Sequence, residues 1–228
     1  MTFHTDSWKS IIQKGAAGFG MPVTDRQAEM MAVHAEELMK WNRKTNLTAI
    51  TDPADIAIKH FIDSIVPSCR IPDQASLIDI GTGGGFPGIP LKIMRPSISM
   101  TLVDSSRKKV NFIKHVIRTL NLEKIEAVHA RIEDLAKDPR YQNAFDFAIS
   151  RAFTELSRFA GLASPFLNPT GRLIAMKSQK GEAELQSMDT PCRQPIVETY
   201  TLPFQGSIRT LIILDPPTIP LTQDDNLP

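Results

Sequence analysis

The chain has few cysteines, no long apolar run and no excess charge of either sign. Its two cysteines, Cys69 and Cys192, lie far apart and form no C-x-x-C pair, which argues against a zinc site and a disulfide framework. The sequence contains no run of about 18 apolar residues that would cross a membrane, and its N-terminus, MTFHTDSWKS, lacks a basic start followed by an apolar stretch. We therefore expect a soluble cytoplasmic protein without a metal or a membrane partner.

The charges are nearly balanced. Lys and Arg number 26 and Asp and Glu number 25, giving a net charge of +1. This balance gives no global signal for nucleic acid, so any RNA or DNA partner requires a local basic patch. At 228 residues and 42% apolar composition, the chain can bury one substantial core with a small appendage.

The first 70 residues carry helical signals. Thr24 and Gln27 form a capping-box pair before an amphipathic run, and Pro53 suits a first helical position. The predicted helices run from Asp6 to Lys14, from Thr24 to about Trp41, and from Pro53 to Ile65. We expect residues 1–70 to form a helical extension packed on the core, and residues 71–228 to form the main domain.

From Leu77 onward, strand-like and helix-like segments alternate. The strand-like segments are LIDI, MTLVD, IEAVHA, FDFAIS and RLIAMK, with helices ending near Leu120 and starting at Glu155. This alternation predicts an α/β fold with a mostly parallel sheet and crossover helices. Two later segments, Ile196 to Leu202 and Ile208 to Leu214, are separated by PFQGS and predict a terminal antiparallel hairpin. The residues from Asp215 onward read as a loose tail.

The most informative stretch runs from Leu77 to Met94, where a buried-strand pattern enters a glycine-rich turn and then a helix. Glycines without a Cβ let backbone N–H groups approach a ligand closely. The N-terminus of the following helix favours a carboxylate or a phosphate. We therefore predict a nucleoside-bearing ligand here, and we assign cofactor binding to Gly81, Gly83 and Gly85.

Two cofactor classes fit this turn. Gly83, Gly85 and Gly88 satisfy the G-x-G-x-x-G pattern of dinucleotide folds, and Asp104 follows about 20 residues later, as in NAD sites. Against NAD, Phe86-Pro87 interrupts the small-residue approach to a pyrophosphate. S-Adenosylmethionine needs an acid after the second strand, an apolar adenine slot and backbone groups near the first turn. The chain offers all three, but the glycine pattern alone leaves both cofactors open.

Several residues fall at the predicted carboxyl edge of the sheet, where α/β folds bind ligands. Asp104 ends the second strand and can accept both ribose hydroxyls or cap the next helix. Phe86 either packs on the ligand or is buried under the first helix. Ile132 and Glu133 follow the third strand and can cover and address adenine. Arg151 ends the fourth strand and should meet the ligand, a substrate phosphate or Glu133.

Two basic segments are candidates for RNA contact. The helix after Asp104 places cationic and amide side chains on one face, which suits phosphates but is also typical of a solvated surface. The segment Trp41 to Thr48 combines aromatic, cationic and amide groups in a predicted loop, where Trp41 also fits a core position. The candidate RNA-binding residues are Arg43, Lys44, Asn46, His60, Arg107, Lys108, Lys114 and Arg118.

Two short motifs resemble catalytic motifs of known methyltransferases but lie in the wrong place. Asp215-Pro216-Pro217 resembles the D-P-P of amino-group enzymes, and Pro191-Cys192 resembles the Pro-Cys of cytosine-C5 enzymes. Each should follow the fourth strand, where the sequence instead reads Ser-Arg-Ala-Phe. Cys192 therefore has no evident base to activate it and is interpreted as a surface or packing residue.

Five segments together resemble the RsmG (GidB) family of bacterial 16S rRNA methyltransferases. They are WNRKTNLTAI, KHFIDSI, DIGTGGGFPGIPL, LVDSSRKKVNF and ISRAF, in this order from Trp41 to Phe153. The resemblance implies a class I, Rossmann-like methyltransferase fold with S-adenosylmethionine as methyl donor. It also implies that the acceptor is a guanine N7 in the decoding-region loop of 16S rRNA. The family's binding positions fall on Gly81, Phe86, Asp104, Ile132, Glu133 and Arg151.

The implied chemistry needs no acid–base pair. Guanine N7 has a lone pair and no proton, so catalysis reduces to positioning and desolvation, with Arg151 as the one candidate catalytic residue. His60, Asp63 and Ser64 are candidates for the guanine pocket, although His60 also fits a structural role. The substrate is naked 16S rRNA, an assembly intermediate or the small ribosomal subunit. A non-catalytic ribosome-assembly factor stays an alternative, and we expect a monomer because no apolar heptad pattern or long edge strand is evident.

Overall fold

The computed structural model describes residues 4–188 and 195–215. Cys192, with the Pro191-Cys192 motif, and the predicted tail beyond Asp215 lie outside these residues. Within the described part of the chain, no helix is long and apolar enough to span a bilayer, and no group of three or more His, Cys, Asp or Glu side chains is placed to hold a metal ion.

Nine α-helices and seven strands are described. The helices are α1 (Thr5–Ala17), α2 (Asp25–Thr45), α3 (Pro53–Ile56), α4 (Asp63–Ile65), α5 (Gly88–Met94), α6 (Arg107–Thr119), α7 (Ile132–Leu135), α8 (Leu156–Ala163) and α9 (Gly181–Gln186). The strands are β1 (Ser76–Ile80), β2 (Ser99–Asp104), β3 (Ile125–His129), β4 (Phe145–Arg151), β5 (Leu167–Ser178), β6 (Ile196–Thr201) and β7 (Ile208–Leu214).

All seven strands form a single sheet in the order β3-β2-β1-β4-β5-β7-β6. The first five in this order are parallel, and β7 pairs antiparallel with both β5 and β6. The predicted parallel sheet and terminal antiparallel hairpin are confirmed. β7 lies between β5 and β6, because its apolar run, with Leu211 and Ile212 both buried, needs neighbours on both sides.

Each face of the sheet is covered by helices. Alternation along a strand sends neighbouring side chains to opposite faces, so in β1 Leu77 joins the core under α1, α2, α5 and α6, while Ile78 joins the core under α7 and α8. The first core also contains Trp8 and Met31 from the N-terminal helices. The N-terminal helices and the sheet therefore share one apolar interior.

The capping box that starts α2 is confirmed, since the Thr24 and Gln27 side chains each bond to the other residue's backbone N–H. The helix does not end near Trp41, however, but continues to Thr45, and Asn46 caps it in the left-handed conformation with φ 49°. The prediction that Trp41 to Thr48 is a loop is thus wrong for its first five residues. Trp41 is half-buried against the Phe112 ring, which anchors the last turns of α2.

The third predicted helix is continuous but irregular. α3 leads into a π-helical segment, Ala57–Ile62, and then into α4 and a 3-10 turn, Val66–Arg70. A π-helical segment changes the direction of side chains and carbonyls relative to an α-helix, and such segments are frequent at functional sites. This one lies opposite the end of β4.

Candidate functional site

The glycine-rich turn between β1 and α5 is folded as a compact loop against β2. Gly81, Gly83 and Gly85 have φ values of 73°, 60° and 87°, which only glycine adopts readily. The N–H groups of Gly81 and Thr82 both donate to the Val103 carbonyl, at 2.9 and 3.1 Å. The turn therefore brings the ends of β1 and β2 together.

The buried side chain of Asp79 fixes the end of this turn where α5 begins. Its carboxylate is fully buried and accepts a 2.9 Å hydrogen bond from the Gly88 N–H, at the start of α5. A Cβ on Gly88 would overlap Leu102, so a glycine is required for this close approach. Burial raises the pKa of Asp79 to about 7. Asp79 is a structural acid rather than an open ligand site.

Asp104, at the end of β2, is held by two backbone donors. Its Oδ2 accepts from the Gly83 N–H at 3.0 Å and its Oδ1 from the Ser106 N–H at 2.8 Å. The Lys109 ammonium lies 3.9 Å from Oδ2. Each oxygen keeps a second lone pair, so the oriented carboxylate can accept two further hydroxyl groups.

A cavity of about 520 Å³ crosses the carboxyl ends of four strands. It is lined by Ile80, Gly81, Val103, Asp104, Ser105, Lys109, Ala130, Arg131, Ile132, Glu133, Ala152 and Phe153. This volume is typical of a small-molecule site, for which about 300–1,000 Å³ is usual. The structure thus brings together four of the predicted cofactor residues, namely Gly81, Asp104, Ile132 and Glu133. The other four, Gly83, Gly85, Phe86 and Arg151, do not line the cavity, although Gly83 binds Asp104.

The Phe86 ring lies in the interior, away from this cavity. It is stacked between the imidazoles of His34 and His60, with ring centroids 4.8 and 4.7 Å away, and its edge-on neighbour is Phe61 at 5.1 Å. Of the two alternatives for Phe86, the structure shows the buried contact for the side chain. The backbone of Phe86 still belongs to the turn, since its N–H donates to Thr82 at 2.8 Å.

Arg151 faces the π-helical segment instead of the cavity. Its Nη1 donates to the Lys59 carbonyl at 2.8 Å, and its Nη2 lies 3.0 Å from the Nδ1 of His60. Asp63 is 3.6 Å away and supplies the opposite charge. Of the three alternative partners predicted for Arg151, namely the ligand, a substrate phosphate and Glu133, the structure does not show Glu133, because carbonyls of the π-helical segment satisfy the guanidinium.

The predicted guanine-pocket residues surround Arg151 in one polar cluster. The Ser64 hydroxyl donates to the His60 carbonyl at 2.5 Å, and the Tyr200 hydroxyl donates to Asp63 at 2.8 Å. Burial, with the nearby Arg151 charge, lowers the pKa of His60 to about 3. His60 is therefore neutral at pH 7, and its second ring nitrogen lies 2.8 Å from the Thr48 hydroxyl.

The other candidate RNA-binding residues lie at the surface. The side chains of Arg43, Lys44, Asn46, Arg107, Lys108, Lys114 and Arg118 are all exposed. On the opposite face of α6, Val110 and Ile113 are buried, so the predicted amphipathic helix is confirmed. Glu37 of α2 contacts His115 of α6 at 2.7 Å, which places the two basic segments on adjacent packed helices.

Sequence reasoning gave no role to Phe153 or to the residues that fix its loop. Phe153 lines the cavity two residues after β4, and Ala152 before it has a positive φ of 51°. The Lys177 ammonium donates to the Thr154 carbonyl at 2.5 Å and pairs with Glu184 at 2.7 Å. The sequence signal that could have indicated Phe153 is an aromatic residue that directly follows the end of a strand at the ligand-binding edge of the sheet.

The chain is similar in fold to known methyltransferases. A SAM-dependent methyltransferase from Aquifex aeolicus superposes with a TM-score of 0.54 at 16% identity, over 77% of this chain and 96% of that one. A predicted O-methyltransferase from Agrobacterium tumefaciens gives 0.56 at 15% identity, over 67% and 79% of the two chains. The sheet order and the glycine turn thus have the arrangement of the class I, Rossmann-like methyltransferase fold.

The particular family follows from sequence relatives. The family described as "GidB: rRNA small subunit methyltransferase G" matches residues 27–212. A protein named ribosomal RNA small subunit methyltransferase G from Geobacter sp. (strain M21) is 41% identical over 91% of this chain and 97% of its own length. One of the same name from Thermoanaerobacter sp. (strain X514) is 36% identical over 88% and 87%. The chain belongs to this family, which decides the cofactor class in favour of S-adenosylmethionine over NAD.

Proposed function

We propose that this protein transfers the methyl group of S-adenosylmethionine to N7 of one guanine in the decoding-region loop of 16S rRNA. The observation that carries the proposal is the cavity across the ends of β3, β2, β1 and β4, in a chain that belongs to the rRNA small subunit methyltransferase G family. The cavity supplies the donor site, and the family supplies the acceptor.

The residues that line the cavity fit this cofactor. Asp104 presents free lone pairs to the two ribose hydroxyls. Ile132 is buried at the end of the cavity that follows β3 and packs on adenine. The exposed Glu133 carboxylate accepts a hydrogen bond from the polar edge of the base. Gly81 lines the cavity and presents its backbone to the methionine moiety, while the space where a Cβ would lie is filled by the Phe153 ring. Gly83 and Gly85 act by shaping the turn, and Phe86 and Arg151 act by supporting it from the interior.

The reaction requires little covalent help from the protein. The bound cofactor supplies an electrophilic methyl group on a positively charged sulfur. On transfer, the N7 lone pair would form the new N–C bond, the electrons of the broken S–C bond would stay on sulfur, and no proton would be removed. The chain therefore needs to orient and desolvate two reactants, and no general base is required. Buried groups such as Asp79 and Arg151 maintain that geometry.

The exposed cations of α6 and the end of α2 form the proposed RNA surface. Phosphate contacts by Arg43, Lys44, Arg107, Lys114 and Arg118 would place a guanine near the cavity, and the base must leave its stack to reach the donor. The partner under this proposal is the small ribosomal subunit or an assembly intermediate of it. The protein then acts in the cytoplasm as a monomer that engages one subunit.

The test is methyl transfer from labelled S-adenosylmethionine to small subunits from a strain that lacks the enzyme. The modified nucleoside is then mapped by primer extension and mass spectrometry. We expect a single N7-methylguanine in the decoding-region loop. Binding of the cofactor and of matched subunits without any transfer would contradict the proposal and favour the non-catalytic assembly factor.

A further inference from the structure

Phe153 is exposed inside the cavity although phenylalanine is usually buried. The residue is 39% exposed at the end of the cavity that follows β4. One side of the ring packs on Gly81, where a Cβ would overlap it. The rest of the ring is exposed at the cavity. We propose that Phe153 is the platform on which the acceptor guanine stacks, an inference that rests on the proposed function.

The strand order gives the cavity a direction. It runs from β3 through β2 and β1 to β4. Ile132 and Asp104 lie at the β3 and β2 positions and hold the adenosine part of the cofactor under the proposed function. The methyl-bearing end therefore lies toward β1 and β4, where Gly81 and Phe153 are. A base stacked on Phe153 is then adjacent to the reacting methyl group.

The loop that carries Phe153 is fixed on both sides of the ring. Before it, Ala152 adopts a left-handed conformation with φ 51° at the end of β4. After it, Lys177 binds the Thr154 carbonyl, and Glu184 accepts the Leu156 N–H at 2.9 Å. The short segment after β4 is therefore held by Lys177 from β5 and by Glu184 from α9. The ring is thus pre-positioned, which lowers the entropic cost of orienting a bound base.

An aromatic ring at this position also responds to the charge that the reaction creates. Guanine is neutral before transfer and cationic once N7 carries the methyl group. The face of a phenyl ring is negative, so it attracts a cationic base more strongly than a neutral one. An interaction that is stronger in the transition state than in the ground state accelerates the chemical step. Phe153 therefore raises the rate constant for transfer as well as the affinity for the base.

The experiment compares wild type, Phe153→Leu and Phe153→Trp, with Phe204→Leu as a matched control at another exposed phenylalanine. The first readout is the single-turnover rate constant for methylation of small subunits at saturating cofactor. The second needs no activity: it measures the binding of 7-methylguanosine and guanosine monophosphates, by NMR titration, to protein saturated with S-adenosylhomocysteine. Cofactor affinity and unfolding midpoints are measured for all four proteins.

We expect Phe153→Leu to lower the rate constant at least tenfold and to abolish any preference for the methylated nucleotide. Cofactor affinity should stay within twofold, and Phe153→Trp and Phe204→Leu should stay within about threefold of wild type in rate. A Phe153→Leu variant that loses cofactor affinity but transfers normally when saturated would overturn the proposal, since the ring would then cover the cofactor. If wild type transfers nothing, the proposed function fails, and the nucleotide titration alone still decides whether Phe153 stacks on the base.

Discussion

Asp104 is oriented before any ligand binds, and this makes it the residue whose loss should affect the cofactor most directly. An Asp104→Asn substitution removes the charge and turns an NH₂ group toward either the Gly83 or the Ser106 donor. Charge-assisted hydrogen bonds to ribose are lost at the same time. We expect the dissociation constant for S-adenosylmethionine to rise about tenfold or more, or about 1.4 kcal/mol. Calorimetric titration measures it.

The matched control for this substitution is Asp73→Asn. Asp73 is also paired with a cation, Arg95 at 3.1 Å, but its side chain is exposed and does not line the cavity. Its substitution should leave cofactor binding unchanged. Equal dissociation constants for wild type and Asp104→Asn would show that Asp104 serves only to close the turn.

His34 makes a second prediction, which concerns stability. Burial lowers the pKa of His34 to about 4, and its Nε2 bonds to the Gly84 carbonyl at 2.9 Å. Between about pH 6.5 and pH 4 the unfolded chain binds a proton at this site that the folded chain refuses. Stability from this group is therefore present at pH 7 and is lost as the pH falls through that window, by about 2 kcal/mol between pH 7 and pH 5.

The measurement is urea unfolding of wild type and His34→Gln at both pH values. Glutamine keeps a donor for Gly84 but does not titrate. Acidification should therefore reduce the free energy of unfolding of the variant by about 2 kcal/mol less than that of wild type. Asp79 acts in the opposite sense in both proteins, because its raised pKa favours the folded state as the pH falls. An identical pH dependence in the two proteins would show that the pKa of His34 is the same in the folded and the unfolded chain.

At the level of single residues, the sequence predicts which residues lie at the ligand-binding edge of the sheet, but it does not predict where their side chains point. Gly81, Asp104, Ile132 and Glu133 meet at one cavity because the carboxyl ends of parallel strands share an edge. Arg151 also ends such a strand, yet its side chain turns to the π-helical segment. A π-helical segment has no clear sequence pattern, so the acceptors that attract the guanidinium were not predictable.

At the scale of elements, α6 carries the clearest test of the RNA surface. Substituting Arg107, Lys114 and Arg118 by Gln removes three exposed cations without touching the buried face of the helix. Each lost phosphate contact reduces the slope of log affinity against log salt by roughly 0.7 to 0.9. We expect the triple variant to bind small subunits more weakly, with a slope lower by about 2 to 3. Filter binding at several salt concentrations measures it.

The control variant replaces three exposed cations outside α6 and the end of α2, namely Lys14, Arg26 and Lys137, by Gln. It matches the loss of net charge but removes no cation from α6 or from the end of α2. If both triple variants lose the same affinity, the effect is one of overall charge, and α6 is a solvated face. Methylation at saturating subunit concentration should stay unchanged in both.

Elements whose ends are marked by short sequence patterns were predicted correctly. Features that depend on contacts between residues distant in the sequence were missed. The capping box at Thr24 and the turn at PFQGS are predictable because each depends only on residues that are adjacent in the sequence. The insertion of β7 beside β5 depends on pairs such as Met176 with Leu211, which are distant in sequence. α9 was missed for a related reason, since its packing on β7, where Gly181 lies against Thr210, stabilises it more than its own six residues do.

For the whole molecule, we divide the chain at residue 70 into an N-terminal extension and a main domain. The two parts nevertheless share one hydrophobic core. Trp8 packs edge-on against Phe61 at 5.1 Å, and the same cluster reaches Leu77 in β1 and Leu211 in β7. Arg151 and Tyr200 add polar contacts from the sheet to the segment that contains Asp63. Residues 1–70 are therefore proposed to fold together with the sheet and not before or after it.

This proposal predicts a single cooperative unfolding transition. Both tryptophans of the chain, Trp8 and Trp41, lie in the N-terminal helices, so their fluorescence reports on the extension, while hydrogen exchange in β1 and β4 reports on the sheet. Because one core is shared, the two signals should change at the same urea concentration with the same free energy of unfolding. Loss of the fluorescence signal at lower urea, before exchange increases in β1, would show that the extension unfolds on its own. A Trp41→Phe variant assigns the fluorescence to Trp8 and shows whether α1 follows the same transition.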